Sequence, residues 1–252
     1  VKTFLVIGIG AGDPEYLTVQ AARAIGRASA FLVLDKGEEK QDLVALRQRI
    51  LAEHATPGHR VTEVAEVDRD RTTPAYTRAV EDWRARRGDL YEDFIAGLAD
   101  GETGALLVWG DPSLYDSTIA ALEDVLARGS VTFEYAVIPG VSAISALAAR
   151  HRIPLNRIGR PFQVTTGRRL AEGVPAGLDD VIVMLDAHCT FAQLPDAAEF
   201  DIYWGAYLGT PDEILVAGRV DEAGPEIQRV RAAARERKGW IMDTYLLRRR
   251  DG

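Results

Sequence analysis

Two turns, Gly8-Ile9-Gly10-Ala11-Gly12-Asp13-Pro14 and Gly110-Asp111-Pro112-Ser113-Leu114-Tyr115, each follow a short apolar run, Phe4 to Ile7 and Ala105 to Trp109. Apolar runs of that length, bounded by Gly and Pro, read as buried parallel strands, and the segments behind them read as helices. A third turn, Pro139-Gly140-Val141-Ser142-Ala143, follows another strand-like run. Ligands of open α/β sheets bind just past the carboxyl ends of the strands. The turns therefore predict one ligand crevice lined from more than one side. Gly110 permits close approach of a ligand to the backbone, Pro112 fixes its turn, and Asp111 can accept hydrogen bonds from backbone or ligand.

The 252 residues suffice for one large domain or two small ones. A hydrophobic fraction of 47% beside 27% charged residues is ordinary for a globular chain. No apolar run approaches the ~20 residues that span a bilayer, and no basic segment with an apolar stretch and cleavage site opens the sequence, so no membrane partner is expected. The single cysteine, Cys189, excludes an internal disulfide and fits a reducing cytoplasm, the expected location. A formal net charge of −8 argues against nucleic acid as the main partner. An acidic small molecule would need a local cluster of cations. Arg152, Arg157, Arg160, Arg168 and Arg169 fall close together, as such a cluster or as a solvated loop, and Arg248-Arg249-Arg250 reads as a solvated terminus.

Strand and helix signals alternate through the first 150 residues: strands at Thr3–Ile9, Ala30–Leu34, Val61–Val67, Ala105–Trp109 and Thr132–Ile138, helices at Tyr16–Arg27, Asp42–Glu53, Ser117–Arg128 and Ser142–Arg150. Pro74–Asp100 reads as one or two exposed helices. This alternation predicts a parallel sheet with helices on both faces. His151–Pro161 is the linker candidate. Beyond it, strands are expected at Phe162–Thr165, Val181–Leu185, Asp201–Tyr207, Ile214–Val220 and Trp240–Leu247, with helix near Ala192 and over Pro225–Arg237. The expected architecture is thus α/β in two domains, residues 1–152 and a smaller mixed-sheet domain at 160–252.

The first turn fails the dinucleotide fingerprint G-x-G-x-x-G, because Asp13 stands where the third glycine belongs. Asp35, ending the second strand, could mimic the ribose-binding acid of a nicotinamide-dependent dehydrogenase, which stays as a rival class. Ser142 lacks the second glycine of a nucleophile elbow, and neither glycine turn carries a Walker lysine. His54, His59, His151 and His188 show no ligand spacing, and His188-Cys189 has no partner pair, so no metal is expected. Cys189 reads as buried or inert.

The three turns in this order resemble the tetrapyrrole methylases, a family of S-adenosyl-L-methionine-dependent methyltransferases. Ile7 to Thr18 is similar to the family's V-G-x-G-P-G-D-P-x-x-L-T, Gly110 to Tyr115 to its G-D-P-x-x-Y, and Pro139 to Ala143 followed by Ile153-Pro154-Leu155 to its P-G-V-[ST]-[SA] and I-P-L. Ala11 departs from the family's proline. Within the family, Asp35 to Lys40, Asp68 to Arg71 with Tyr76 and Trp83, and Val108 to Ser117 resemble a cobalamin-pathway branch, and Asp116-Ser117 replaces the Gly-Arg usual in siblings.

The resemblance implies methylation of a tetrapyrrole at C-1 with release of an acetyl group as acetate, by a homodimer. It places S-adenosyl-L-methionine in a cleft between the domains, near Gly110, Asp111, Leu114, Ser117, Ser142 and Ala143, with Leu185 and Leu208 from the second. Gly10, Gly12 and Arg168 are the candidate substrate contacts. Asp13, Tyr115 and Asp116, with Asp111, are candidate acid–base groups, against helix-cap or turn roles for each. Another tetrapyrrole, diphthine-type or ribosomal RNA methylase, and a silent cofactor-binding module, remain alternatives.

Overall fold

The computed structural model describes residues 1–35, 41–66 and 76–250. They group into two compact units, Val1–Val141 and Ser142–Gly252. The expected domains divide the chain after the helix that follows Ser142; the compact units divide it before that helix.

The first unit alternates β1 (Lys2–Gly8), α1 (Val19–Arg27), β2 (Ala30–Asp35), α2 (Gln41–His54), β3 (Arg60–Ala65), α3 (Tyr76–Ala96), β4 (Thr103–Val108), α4 (Thr118–Arg128) and β5 (Phe133–Ile138). The strands form one sheet in the order β3-β2-β4-β1-β5, parallel throughout. Successive strand side chains point to opposite faces, and here both faces are apolar. Leu5, Ile7, Phe31, Ala105 and Leu107 pack with Ala21, Ala24 and Ile25 of α1 and Ile50 and Leu51 of α2. Phe4, Val6, Leu32, Leu106 and Val108 pack on the other side with Tyr91 and Ile95 of α3 and Ala121, Leu122 and Val125 of α4. The helices therefore cover both faces.

Local chemistry sets the ends. Asp13 caps a single 3-10 turn at Pro14–Tyr16, and Thr18 accepts from the Ala21 N–H at 3.0 Å to start α1. Two caps five residues apart replace the continuous helix expected from Tyr16. Gly129, with φ 69°, ends α4 in the left-handed conformation. The polar stretch after Pro74 is one helix, α3, whose Tyr91 and Phe94 rings meet Phe4 at 6.3 and 5.8 Å.

The second unit contains α5 (Ala143–His151), β6 (Phe162–Thr166), α6 (Gly167–Leu170), β7 (Asp180–Met184), β8 (Phe200–Ala206), β9 (Ile214–Arg219), α7 (Val220–Lys238) and β10 (Asp243–Arg249). Its sheet, β6-β7-β10-β8-β9, is mixed: β6 and β7 run parallel, and the other neighbours are antiparallel. Helix α5 packs on β8, β9 and β10. Trp240, expected in a strand, lies before β10, while α7 starts at Val220 and carries Pro225 inside it.

The arginines near both ends of this unit are struts. Arg248 Nε stands 2.5 Å from Oδ1 of the fully buried Asp180 and also donates to Pro154 O. Arg249 pairs with Glu199 and Arg250 with Asp201. The expected solvated terminus is thus corrected: strand pairing carries Arg248 onto a buried carboxylate that must be neutralised. No helix of the described residues is long and apolar enough to cross a membrane.

At the amino edge of the first sheet, Glu102 accepts from the Ala99 N–H (2.8 Å), Arg60 (2.5 Å) and Ser29 (2.9 Å). The Ala99 bond foremost, then Arg60, holds its pKa at about 2 against a smaller opposing effect of burial. A carboxylate with a depressed pKa stabilises above its ordinary value, 4.5, and loses that contribution as pH falls toward about 2. Glu102→Gln should therefore lower stability by a constant amount at neutral pH, and the gap to the parent should close between those two pH values in urea denaturation.

Candidate active site

The carboxyl edge of the first sheet is built backbone on backbone. Gly10 N–H donates to Gly110 O at 3.2 Å and Gly110 N–H to Gly10 O at 2.9 Å, a two-bond bridge joining the turns after β1 and β4. The turn after β5 presses against both. A Cβ on Gly140 would stand 2.1 Å from Gly110 O, and one on Gly8 would stand 2.6 Å from Gly140 N. Gly110 itself has φ 68° and nothing within 4 Å of where a Cβ would be. Its bare backbone faces open space. Gly12, at φ 106°, completes the first turn and is buried.

Asp111 locks the junction. Oδ1 accepts from the Ser113 N–H at 2.7 Å and from the Ser113 hydroxyl, and Oδ2 accepts from the Gly140 N–H at 2.9 Å. Burial works against its charge, but these three bonds outweigh it and hold the carboxyl below the usual range. Both oxygens are engaged, which fits a charged strut better than a proton-transfer group. Tyr115 follows with φ 49° and an exposed ring, its hydroxyl pushed up by partial burial. Asp116 Oδ1 accepts from the Thr118 N–H at 2.7 Å, and Asp13 Oδ1 accepts from the Glu15 N–H at 2.9 Å. Each of these two candidate acid–base groups thus commits one oxygen to a local turn. Leu114 is half-buried within the same turn.

Three charged residues that sequence reasoning did not single out gather behind this turn. Arg87 of α3 donates through Nη1 to Ser117 Oγ at 3.1 Å, and its guanidinium lies 4.9 Å from the Trp83 ring and 5.6 Å from the Tyr91 ring. Its Nε is 3.3 Å from Glu66 Oε1, out of line for a hydrogen bond, so both atoms are buried without one. Arg47 of α2 donates to Leu107 O at 3.2 Å and Leu43 O at 3.1 Å, and burial brings its pKa down to about 10. The visible signal was the i, i+4, i+8 spacing of Trp83, Arg87 and Tyr91 inside a helix that otherwise read as exposed.

In the second unit, β6, β7 and β8 run in one direction, so Arg168, Leu185 and Leu208 sit at one edge of its sheet. Leu185 is exposed at φ 55° and Tyr207 stands at φ 49°. Asp186, behind Leu185, is buried and accepts from the N–H groups of His188 and Thr190, the Thr190 hydroxyl and Tyr245 OH at 2.6 to 3.0 Å. Gly167 is a glycine because a Cβ there would meet the Asp186 carboxylate at 2.5 Å. Leu208 is buried, and the adjacent Gly209 N–H donates to Glu213, itself held by Arg150. Ser142 Oγ accepts from the Ser145 N–H at 3.3 Å and caps α5, whose first residue is Ala143.

The arginine cluster is corrected. Arg157 donates to Arg249 O and faces Asp180, Arg160 pairs with Asp179, and Arg169 pairs with Glu172. These three support their own unit, and exposed Arg168 is the cluster member at the carboxyl edge of β6. Cys189 is buried at φ 52°, with its thiol pushed up by burial. The Asp35 side chain, residues 36–40 and residues 68–71 lie outside the described residues. Among the described residues, no group of three or more His, Cys, Asp or Glu could hold a metal ion.

Residues 3–224 match the family model described as tetrapyrrole (corrin/porphyrin) methylases. The precorrin-6A synthase (deacetylating) of a Sinorhizobium species is 47% identical over 251 residues, 99% of this chain and 96% of that protein. The crystal structure of a cobalamin-synthesis-related protein (CobF) from Corynebacterium diphtheriae superposes with a TM-score of 0.86 at 38% identity, covering all of both chains. A uroporphyrin-III C-methyltransferase from Thermus thermophilus, solved with S-adenosylhomocysteine, gives 0.60 at 20% identity, over 97% of this chain and 91% of that one, and shows the same fold.

The glycine junction makes a contrast that equilibrium unfolding can measure. Gly110→Ala meets no atom and should cost about 1–2 kcal/mol for its left-handed backbone alone. Gly140→Ala drives a methyl to 2.1 Å from a carbonyl oxygen and should cost more, at least the upper end of the ~1–3 kcal/mol of ordinary overpacking. Equal midpoints for the two variants would contradict the junction.

Proposed function

This chain belongs to the tetrapyrrole (corrin/porphyrin) methylase family, and we propose that it is a precorrin-6A synthase: an S-adenosyl-L-methionine-dependent enzyme that methylates precorrin-5 at C-1 and releases its acetyl group as acetate. Similarity at 47% identity over 99% of the chain carries the reading. The site supports it in one specific respect. Gly110, whose N–H and carbonyl are both bonded to Gly10 and whose carbonyl backs onto Gly140, leaves room for a ligand against its bare α-carbon, where any side chain would intrude.

When bound, S-adenosyl-L-methionine supplies an electrophilic methyl group. Such a donor would methylate a nucleophilic substrate carbon by in-line displacement from its sulfur. The chain's part in such a displacement is positioning. Gly110, Asp111, Leu114 and Ser117, with Ser142, Ala143, Leu185 and Leu208, hold the donor in this proposal, and the junction fixes the first group before any ligand arrives. A cationic sulfonium suits a turn whose Asp111 stays ionised.

Acetate release needs water to add to the acetyl carbonyl, a base to take its protons and the ring C–C bond to break; the electron pair left on the ring carbon is the one that takes the methyl group. Asp13 and Asp116 are the proposed acid–base groups, with Tyr115 beside them as a hydroxyl donor. Gly10 and Gly12 border the pyrrole, and Arg168 meets one of its carboxylates as a guanidinium can, by two parallel hydrogen bonds. A homodimer in the cytoplasm completes the proposal.

Incubation of the purified protein with precorrin-5 and methyl-labelled donor should give one added methyl and one acetate per turnover by mass spectrometry. Methylation without acetate would move the chain to another tetrapyrrole methylase. Titration with NAD against S-adenosyl-L-methionine separates the dehydrogenase reading.

Asp13→Asn combined with Asp116→Asn should slow acetate release by roughly 10²–10⁴ while donor affinity holds. Normal release from that double variant would remove both aspartates from the chemistry. Arg168→Ala should raise the KM for precorrin-5 and leave the donor's Kd unchanged, and an unaltered KM would exclude the contact.

A further inference from the structure

Ser117 stands at the N-cap position of α4 but does not cap it. Its backbone lies at φ −102° and ψ 0°, away from the extended conformation of an N-cap, and its hydroxyl makes no cap hydrogen bond. Asp116 takes the Thr118 N–H instead. Two residues earlier, Tyr115 holds φ 49°, a left-handed value that a bulky side chain adopts at a cost. A turn holding such a residue persists only where its surroundings over-determine it.

The surroundings that do so come from one face of α3. Arg87 Nη1 donates to Ser117 Oγ at 3.1 Å, and one helical turn later Tyr91 OH lies 3.4 Å from Thr118 Oγ1. Both side chains are nearly inaccessible, and burial pushes the Tyr91 pKa up to about 12 against the opposing charge of Arg87. The guanidinium is itself fixed between the Trp83 and Tyr91 rings. Its misalignment with Glu66 is informative. Buried charged groups are normally well hydrogen-bonded to each other, yet here Arg87 Nε and Glu66 Oε1 forgo that bond while Nη1 reaches Ser117. The orientation of Arg87 serves the turn.

We infer that Arg87 is a positioning residue, which sets the Tyr115–Thr118 turn through Ser117 with the half-buried Glu66 as its counter-charge. The inference rests on the proposed role of that turn in holding the methyl donor and assigns its geometry to a side chain 30 residues away. Arg87 is buried behind the turn and acts through Ser117.

Two variants test it. Ser117→Ala removes the acceptor, and Arg87→Met with Glu66→Gln removes the guanidinium without stranding a buried carboxylate. In the free protein, amide hydrogen exchange over Tyr115–Thr118 should quicken about tenfold in both, while β4 and the rest of α3 keep their protection. The Kd for S-adenosyl-L-methionine should rise about tenfold, ~1.4 kcal/mol, and the three substitutions together should do no more than either set alone. Unchanged exchange at the turn, or faster exchange throughout the first unit, would overturn the inference. So would faster exchange with the parent's donor affinity. If the parent binds no donor, the functional reading fails while the exchange result still decides the role of Arg87.

Discussion

The first unit depends on three strand ends meeting with no side chain between them. Gly110 donates to and accepts from Gly10, and its carbonyl lies so near Gly140 that a methyl cannot enter. Apolar packing on both faces fixes where β1, β4 and β5 run, but packing is tolerant of small shifts. The glycine contact is not. It sets the height at which each strand stops, and Asp111 then ties the β4 turn to the β5 turn by hydrogen bonds. A site presented on such a base is organised before a ligand arrives, which is where positional catalysis draws its advantage.

Charge plays a second supporting part, one that net charge conceals. A chain of formal charge −8 still buries Arg47, Arg87 and Arg231. Arg231 is held by Asp243 at 2.9 Å and by the carbonyl of Asp186, while Trp204 Nε1 shares the same Asp243 oxygen. Asp180 and Asp186 are buried acids saturated by arginines, amides or hydroxyls. Such pairs contribute little net stability over apolar residues of like volume, but removing one partner is costly. They fix orientation: each lies behind a strand end or a turn whose direction matters.

The parallel sheet was legible because its signals were redundant. Apolar runs, glycine-proline turns and helical periodicity agreed from Thr3 to Arg128, and caps only shifted boundaries, as at Thr18. The second unit was legible as a mixed sheet but less so in detail. Pro225 read as the start of a helix, whereas Asp221 and Glu222 already favour a helix N-terminus one turn earlier, and the proline falls where only one backbone bond is lost. Of the candidate site, the turns were visible because glycine and proline restrict the backbone whatever lies nearby. The Arg87–Glu66 pair was not, since its meaning comes from the residue that follows β3 meeting a side chain of α3. Arg157 and Arg248 misled for the same reason: sequence shows a cation but not the carboxylate folded against it.

The burial of Cys189 has a practical consequence. It is the chain's one cysteine, and its thiol is shielded and disfavoured as thiolate by that burial. A cysteine introduced on an exposed helical face would therefore outcompete it for alkylating dyes by a wide margin. Distance and mobility reporters can be attached at a chosen point without first deleting the native sulfur.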